Sequence, residues 1–221
     1  MSKLEKYIVV FDLDDTLFAE IDYQKSGYEY LKYTLSKQFN KKINIDIDKF
    51  IRAKNQDFLR LICETINLPL SVKDSLLWQY RLHEPNIFLR DDIKYLIQKL
   101  KDLKIKTAII TDGRAITQRI KINKLKLNKM PFLISEEYES CKPEPLRFQI
   151  IMKRWPNKKY VYIGDNISKD FHSPMELGWY CIGANWFKEK LYKNPSFNHN
   201  LVEPHLWLSD PIMVIDVLKD L

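Results

Sequence analysis

The chain has 221 residues, of which 45% are hydrophobic and 29% charged, a balance that suits a packed core and excludes a disordered chain. No apolar run approaches the roughly 18 residues that a membrane span needs, and the one near the N-terminus is too short for a signal peptide. Cys63, Cys141 and Cys181 have no paired spacing, which argues against disulfides or a zinc site. We therefore expect a soluble cytoplasmic protein with no membrane partner; the sequence sets no oligomeric state.

The net charge of +7 raises the question of a nucleic-acid partner. The lysines are spread along the chain, and the densest stretch, residues 121–129, alternates with Ile122, Leu125 and Leu127. This spacing predicts an amphipathic helix with a solvated basic face. We therefore expect no nucleic-acid partner and only a general attraction for anionic substrates.

Strands and helices are predicted to alternate along most of the chain. Five short apolar runs are predicted as strands, at residues 7–11, 107–110, 132–134, 160–163 and 180–182. Helical patterns lie near residues 91–101, 115–126, 145–154 and 169–177. This alternation predicts an α/β fold with a doubly wound parallel sheet, in which ligands bind at the carboxyl ends of the strands.

The segment between the first strand and residue 85 has a different pattern. It lacks a convincing strand and shows helical spacing, as in Tyr28, Leu31 and Leu35. Packing between helices explains most of these residues, although Tyr23 and Tyr28 could instead stack on a substrate. We predict a core at residues 1–20 and 86–221 and an inserted helical cap at residues 21–85, placed to act as a lid.

Asp12 and Asp14 directly follow the first predicted strand, and Asp165 and Asp170 follow the fourth. An Asp-rich turn is common at strand ends, but carboxylates that converge at one sheet edge repel one another unless a cation compensates them. Mg²⁺ fits because it prefers carboxylates, water and phosphate oxygens as ligands. The pattern therefore predicts a magnesium site at this edge.

A carboxylate can also act as a nucleophile and divide phosphate-ester hydrolysis into two steps through an aspartyl-phosphate. The transferred group carries distributed negative charge and needs cations and donors around it. Lys142, in a segment stiffened by two prolines, can supply the cation. Thr111 can supply a hydroxyl, and the turn through Asp112 and Gly113 can supply backbone N–H groups.

Four segments resemble, in order, the motifs of the haloacid dehalogenase superfamily of phosphohydrolases, each after a predicted strand. They are Phe11-Asp12-Leu13-Asp14-Asp15-Thr16-Leu17, Ile110-Thr111-Asp112-Gly113, Lys142-Pro143-Glu144-Pro145 and Gly164-Asp165-Asn166-Ile167-Ser168-Lys169-Asp170. The resemblance implies a Rossmann-like core, and the long spacing between the first two motifs resembles that of members with a helical cap after the first motif.

The resemblance also implies a role for each matching residue. Asp12 would be the nucleophile and Asp14 the general acid, while Asp12, the backbone carbonyl of Asp14 and Asp165 would hold Mg²⁺. Thr111, Asp112, Gly113 and Lys142 would surround the phosphoryl group. In the outer shell, Asp170 would orient Lys142 or a metal-bound water, and Asn166 stands where some relatives carry a second Asp.

Several functions stay open at this point. A dehalogenase would not need an acid two residues after the nucleophile, so Asp14 favours phosphoryl chemistry. The expected substrate is a small phosphorylated metabolite, either a sugar phosphate or a nucleoside monophosphate. The Thr-Asp-Gly turn followed by Gln118 and Lys121 resembles that of the phosphatase branch that includes nucleoside monophosphatases. The Gly-Asp-Asn stretch and the following Leu177-Gly178-Trp179 resemble phosphatases of sugar and polysaccharide pathways, and neither resemblance decides the substrate. A sugar phosphomutase and a non-catalytic binding protein on the same scaffold are the alternatives.

Overall fold

A computed structural model describes residues 4–53, 57–188 and 201–221, which contain one six-stranded parallel sheet in the order β3-β2-β1-β4-β5-β6. The strands are β1 (Tyr7–Phe11), β2 (Lys106–Thr111), β3 (Phe132–Ile134), β4 (Lys159–Gly164), β5 (Tyr180–Ala184) and β6 (Leu206–Leu208). The helices are α1 (Glu20–Gln38), α2 (Ile47–Arg52), α3 (Phe58–Ile66), α4 (Lys73–Leu82), α5 (Asp91–Asp102), α6 (Ala115–Lys124), α7 (Ser135–Tyr138), α8 (Leu146–Arg154), α9 (His172–Glu176) and α10 (Val214–Asp220).

The sheet is covered on both faces. All five residues of β1 are buried, and their side chains alternate between two apolar clusters, with Tyr7, Val9 and Phe11 in one and Ile8 and Val10 in the other. A strand buried on both faces reads as a continuous apolar run, which is why β1 is evident in the sequence. The arrangement confirms the predicted α/β doubly wound, Rossmann-like fold.

Two predicted helices differ from the structure. The helix predicted at 115–126 ends at Lys124, because Lys126 adopts a left-handed φ of 59° and Leu127 N–H turns back to the carbonyl of Ile122. The helix predicted at 169–177 is only α9, from His172 to Glu176. The preceding residues form a turn, in which Asp170 N–H donates to the carbonyl of Asn166.

The segment between β1 and α5 contains α1 to α4 and has an apolar cluster of its own. Leu31 and Leu35 of α1, Ile62 and Ile66 of α3 and Leu76 of α4 belong to this cluster. In contrast, Tyr23 in the first turns of α1 belongs to the cluster under the sheet. The division into a core at 1–20 and 86–221 and a cap at 21–85 stays a prediction, which we adopt below as a proposal.

Among the described residues, no helix combines the length and the apolar character needed to cross a membrane.

Candidate active site

The predicted site residues lie at the carboxyl edge of the sheet. Asp12 directly follows β1, Thr111 ends β2 and Asp165 directly follows β4. Because β2, β1 and β4 are adjacent in the sheet, these three residues lie side by side. Lys142 comes from the segment between α7 and α8 and reaches the same place with a side chain that is fully buried.

Lys142 lies at the centre of a buried polar cluster. Its Nζ is 2.7 Å from Asp12 Oδ1, 2.6 Å from Asp170 Oδ1 and 3.1 Å from the hydroxyl of Tyr162. Burial lowers the pKa of Lys142, but the attraction of Asp12 and Asp170 outweighs it, so the pKa lies well above its usual value. The lysine is therefore a fixed positive charge beside the candidate nucleophile.

Asp12 is held in an environment poor in water. Burial raises the pKa of its carboxyl group to about 7; Lys142 acts in the opposite direction, while Asp170 and Asp165 add to the rise. Its backbone N–H donates to the carbonyl of Ile163 at 2.8 Å, which ties the end of β1 to β4. A carboxylate in this setting gains from any further cation placed next to it.

Three carboxylates could hold such a cation. Asp12, Asp165 and Asp170 each offer an oxygen, and these oxygens lie within 4.8 Å of one another. Asp170 already accepts from the backbone N–H groups of Asp165 and Asn166, from Tyr162 and from Lys142. These hydrogen bonds suit Asp170 to an orienting role. The carboxylates of Asp12 and Asp165 offer only oxygen ligands, which a hard divalent cation such as Mg²⁺ prefers.

The turn that ends β2 is fixed from several sides. Arg147, fully buried on α8, donates to the carbonyl of Thr111 at 2.7 Å and pairs with the carboxylate of Asp112. Burial raises the pKa of Asp112, but Lys142, Lys169 and Arg147 outweigh it and hold the pKa below its usual value. The carboxylate of Asp112 thus serves to anchor the turn.

Gly113 and Thr111 have close neighbours at this turn. Gly113 has a φ of 144°, and its N–H donates to Ser135 Oγ at 2.9 Å. The Thr111 hydroxyl is buried and accepts from Gln118 at 3.2 Å. Asn166 also uses its side chain locally, since its Oδ1 accepts from the N–H of Ser168 at 2.9 Å.

Asp14 lies beside Asp12 but faces helix α6. Its Oδ1 is 2.7 Å from Lys121 Nζ, and its Oδ2 is 2.8 Å from Gln118 Nε2. Lys121 is therefore buried in an ion pair, and the prediction that it belongs to a solvated basic face is wrong. The helical pattern does not reveal this burial, because the carboxylate that pairs with Lys121 belongs to Asp14, 107 residues earlier in the chain.

Four residues of the site were missed as functional candidates in the sequence. Tyr162 and Arg147 look like ordinary strand and helix residues, and only their contacts with Lys142 and Asp112 reveal their role. Lys169 lies 3.5 Å from Asp112 Oδ2. Glu20 is half-buried, and its pKa is raised to about 8 by burial and by the nearby Asp14.

The two tyrosines considered as lid residues have different surroundings. Tyr28 stacks on Phe58 with ring centroids 3.9 Å apart, inside the helical insertion. The ring of Tyr23 lies under Lys121, whose Nζ is 4.5 Å from the ring centroid, and its hydroxyl donates to the carbonyl of Arg81. Tyr23 is thus next to the Asp14 cluster, whereas Tyr28 packs within the insertion.

This combination of fold and motifs agrees with the sequence comparisons. Residues 9–184, well over half of the chain, match the haloacid dehalogenase-like hydrolase family. The chain therefore belongs to this family of hydrolases, which confirms the resemblance drawn from the four motifs.

Individual relatives share the sequence or the fold. The glyceraldehyde 3-phosphate phosphatase of Methanocaldococcus jannaschii is 29% identical over 191 residues, which cover 79% of this chain and 82% of that protein. The magnesium-bound structure of YfnB from Bacillus subtilis has a TM-score of 0.66 at 18% identity and covers 96% of this chain and 98% of that one. A HAD phosphatase from Thermococcus onnurineus has a TM-score of 0.58, also at 18% identity, over 96% and 97% of the two chains. At these identities the two structures show a shared fold.

Proposed function

We propose that this protein is a magnesium-dependent phosphatase that hydrolyses a small phosphomonoester through an aspartyl-phosphate on Asp12. The observation that carries the proposal is the convergence of Asp12, Lys142 and Asp165 at one sheet edge, where Gln118 links the carboxyl group of Asp14 to Thr111. A dehalogenase would have no need for Asp14, because a halide leaves without a proton.

In the first step, a carboxylate oxygen of Asp12 attacks phosphorus as the bond between phosphorus and the leaving oxygen breaks. Asp14 enters this step protonated and donates the proton that this oxygen needs to leave as an alcohol. In the second step, Asp14 takes a proton from water, water attacks phosphorus, and the bond to Asp12 breaks. The products are an alcohol and inorganic phosphate, and both carboxyl groups return to their starting states.

The phosphoryl oxygens need donors and positive charge in both steps. Lys142 supplies a permanent charge 2.7 Å from the nucleophile, and Thr111, at the end of β2, would supply its hydroxyl. Asp12, Asp165 and the backbone carbonyl of Asp14 would hold Mg²⁺. When bound, the ion would neutralise charge on the phosphoryl group and lower the repulsion between it and the carboxylates.

The leaving group is expected to be a sugar or a nucleoside. The M. jannaschii relative, named for its action on glyceraldehyde 3-phosphate, favours a small sugar phosphate as the first substrate to test. We assign residues 21–85 as a helical cap that contacts the leaving group, because this segment lies between β1 and α5 and its Tyr23 ring lies against Lys121, the partner of Asp14.

The test is phosphate release from a panel of sugar phosphates and nucleoside monophosphates, with Mg²⁺ and with excess chelator. Wild-type protein should release phosphate only with the metal. Asp12→Asn keeps the shape of the side chain but removes the attacking charge, so kcat should fall by roughly 10³-fold or more. Asp102→Asn, the same change on the exposed face of α5, is the matched control and should be fully active.

Four results would contradict the proposal. Full activity in excess chelator would show that the reaction needs no metal. Near-normal turnover by Asp12→Asn would show that no covalent bond to Asp12 is formed. Isomerised sugar phosphate without phosphate release would assign a phosphomutase instead. Binding of substrates with no turnover of any would assign a non-catalytic binding protein.

A further inference from the structure

Helix α6 contributes two buried polar side chains to the site that the reaction above does not use. Gln118 and Lys121 are three residues apart, so they lie on the same face of the helix, one turn from each other. Only 4% of the Lys121 side chain is exposed, and Gln118 is also buried. Both reach the carboxyl group of Asp14, one to each oxygen.

The side chain of Lys121 is surrounded by two aromatic rings and the carboxyl group of Asp14. Its Nζ is 4.5 Å from the centre of the Tyr23 ring and 5.6 Å from that of Phe18, and aromatic faces attract a cation without replacing a carboxylate. Among the described residues, Asp14 is the carboxylate in an ion pair with Lys121, while Glu20 is near enough for Lys121 to lower its pKa. A buried charge without its partner is costly, so the pair holds both side chains in place.

Gln118 connects the same carboxyl group to the turn that ends β2. Its Nε2 lies 2.8 Å from Asp14 Oδ2, 2.7 Å from the carbonyl of Asp112 and 3.2 Å from Thr111 Oγ1. A Cβ atom at Gly113 would come within 2.8 Å of this nitrogen. Glycine at position 113 therefore leaves room for the amide of Gln118 between the turn and Asp14.

From these contacts we propose that Gln118 and Lys121 are positioning residues that fix the carboxyl group of Asp14 for transfer of the proton to the leaving oxygen. The inference rests on the proposed phosphatase function and adds two residues to it. With a donor on each oxygen, the carboxyl group cannot rotate freely. Because Gln118 also contacts Thr111 and Asp112, the carboxyl group of Asp14 is held at a fixed distance from the turn that ends β2.

The alternative is that the pair only stabilises the packing of α6 against the rest of the protein. The two roles differ in how they depend on the leaving group. A loss of stability lowers the rate for all substrates alike. A misplaced general acid slows only those substrates whose leaving oxygen needs a proton.

The experiment compares 4-nitrophenyl phosphate, whose leaving group departs without a proton, with phenyl phosphate, which has nearly the same shape and needs one. The measured quantity is the ratio of their kcat/KM values, because kcat/KM covers only the steps up to departure of the leaving group. In Lys121→Met, which keeps the apolar stem and removes the charge, phenyl phosphate should lose at least about tenfold more than 4-nitrophenyl phosphate.

Two further variants serve as a control and as a replacement for Lys121→Met. Lys124→Met changes a lysine one turn along the same helix that pairs with Glu84 and not with Asp14, so its ratio should be that of wild type. If Lys121→Met does not fold, Gln118→Met removes the other contact without leaving a buried charge unpaired, and its ratio should shift in the same direction.

A double variant tests whether Lys121 acts through Asp14. Adding Lys121→Met to Asp14→Asn should cause almost no further loss on phenyl phosphate. Equal losses on both substrates, or a full additional loss in the double variant, would overturn the inference and leave the phosphatase proposal intact. Absence of phosphate release by the wild-type protein from both esters and from the whole panel of natural substrates would instead reject the phosphatase proposal.

Discussion

At the scale of single residues, three carboxylates of the site are each paired with a different cation. Asp12 is next to Lys142, Asp14 next to Lys121 and Asp112 next to Arg147. Each of these three cations is buried. The pairing lets several acidic side chains lie close together without unfolding the strand ends, and it gives each carboxyl group a distinct environment.

Within the described part of the chain, Glu20 forms no ion pair, and Lys121 and Lys169 only partly offset the rise in its pKa, so Glu20 should make stability depend on pH. Burial raises its pKa from 4.5 to about 8, and the negative charge of Asp14 is the second largest cause of the rise. Between these values the folded state keeps a proton that the unfolded state releases, so the free energy of unfolding falls as pH rises through this window. Glu20→Gln has no carboxyl group that ionises. The difference in free energy of unfolding between this variant and wild type should therefore shift in favour of the variant by more than about 1 kcal/mol from pH 5 to pH 8.

Urea unfolding of both proteins at the two pH values measures this difference. Glu29→Gln, a change on the exposed side of the same helix α1, is the matched control and should follow wild type. An unchanged pH dependence in Glu20→Gln would show that the carboxyl group of Glu20 ionises in the folded protein as it does in the unfolded one.

The residues that the sequence indicated are those with a local signal. Asp12, Thr111 and Asp165 each end or directly follow an apolar run, so their place at the sheet edge follows from the strand pattern alone. Arg147, Tyr162 and Lys121 have no such signal. Their role depends on partners far away in the chain, 35 residues for Arg147 and Asp112, which no local period records.

At the scale of secondary-structure elements, the helical insertion has internal packing that can be separated from its proposed role as a cap. Tyr28 stacks on Phe58 and makes an edge contact with Phe50, whose ring centroid is 5.9 Å away. Tyr28→Ala should lower the free energy of unfolding by about 2 to 3 kcal/mol. The order in which the enzyme prefers its substrates should stay the same.

Tyr23→Ala is the contrasting variant, because the Tyr23 ring lies against Lys121. It should alter the ranking of natural substrates more than the rate with 4-nitrophenyl phosphate. Melting temperatures and kcat/KM values for both variants separate these effects. A uniform loss across all substrates in Tyr23→Ala, with a lowered melting temperature, would assign this residue to packing as well.

The elements also show where prediction from sequence was incomplete. The strands predicted in the sequence are buried runs, and β1 is the clearest since all five of its residues are buried. The edge strand β6 was not predicted, because Leu206–Leu208 has only three residues and its central Trp207 is exposed. Short edge strands gain their structure from the neighbouring strand, here β5, rather than from a pattern of their own.

At the scale of the whole molecule, a strongly basic groove lies away from the carboxyl edge of the sheet. This groove of about 1210 Å³ is lined by eight lysines and arginines and one acidic residue, Glu5. Its net charge of +7 equals that of the chain, so the other 28 basic residues are balanced by 28 acidic ones. The groove includes Lys106 at the first residue of β2, whereas the site lies where this strand ends.

The expected attraction of anionic substrates by the net charge should therefore be weak. Charges separated by more than about 8 Å are largely screened at physiological salt. Lys101→Glu and Lys126→Glu, both exposed in the groove, should leave kcat/KM within about twofold of wild type at this ionic strength. A tenfold fall that disappears at high salt would show that the groove does steer substrates to the site.

The covalent bond between Asp12 and phosphorus is the central claim for the molecule as a whole, and acid quenching during turnover tests it most directly. Wild-type protein mixed with a substrate from the active panel and Mg²⁺ should, after quenching, yield a peptide containing Asp12 with the added mass of one phosphoryl group. Hydroxylamine should remove this mass, because an acyl phosphate is labile to it, and Asp12→Asn should not acquire it. Rapid turnover with a phosphoryl group on another residue, or with none on Asp12 at any quench time, would contradict the account.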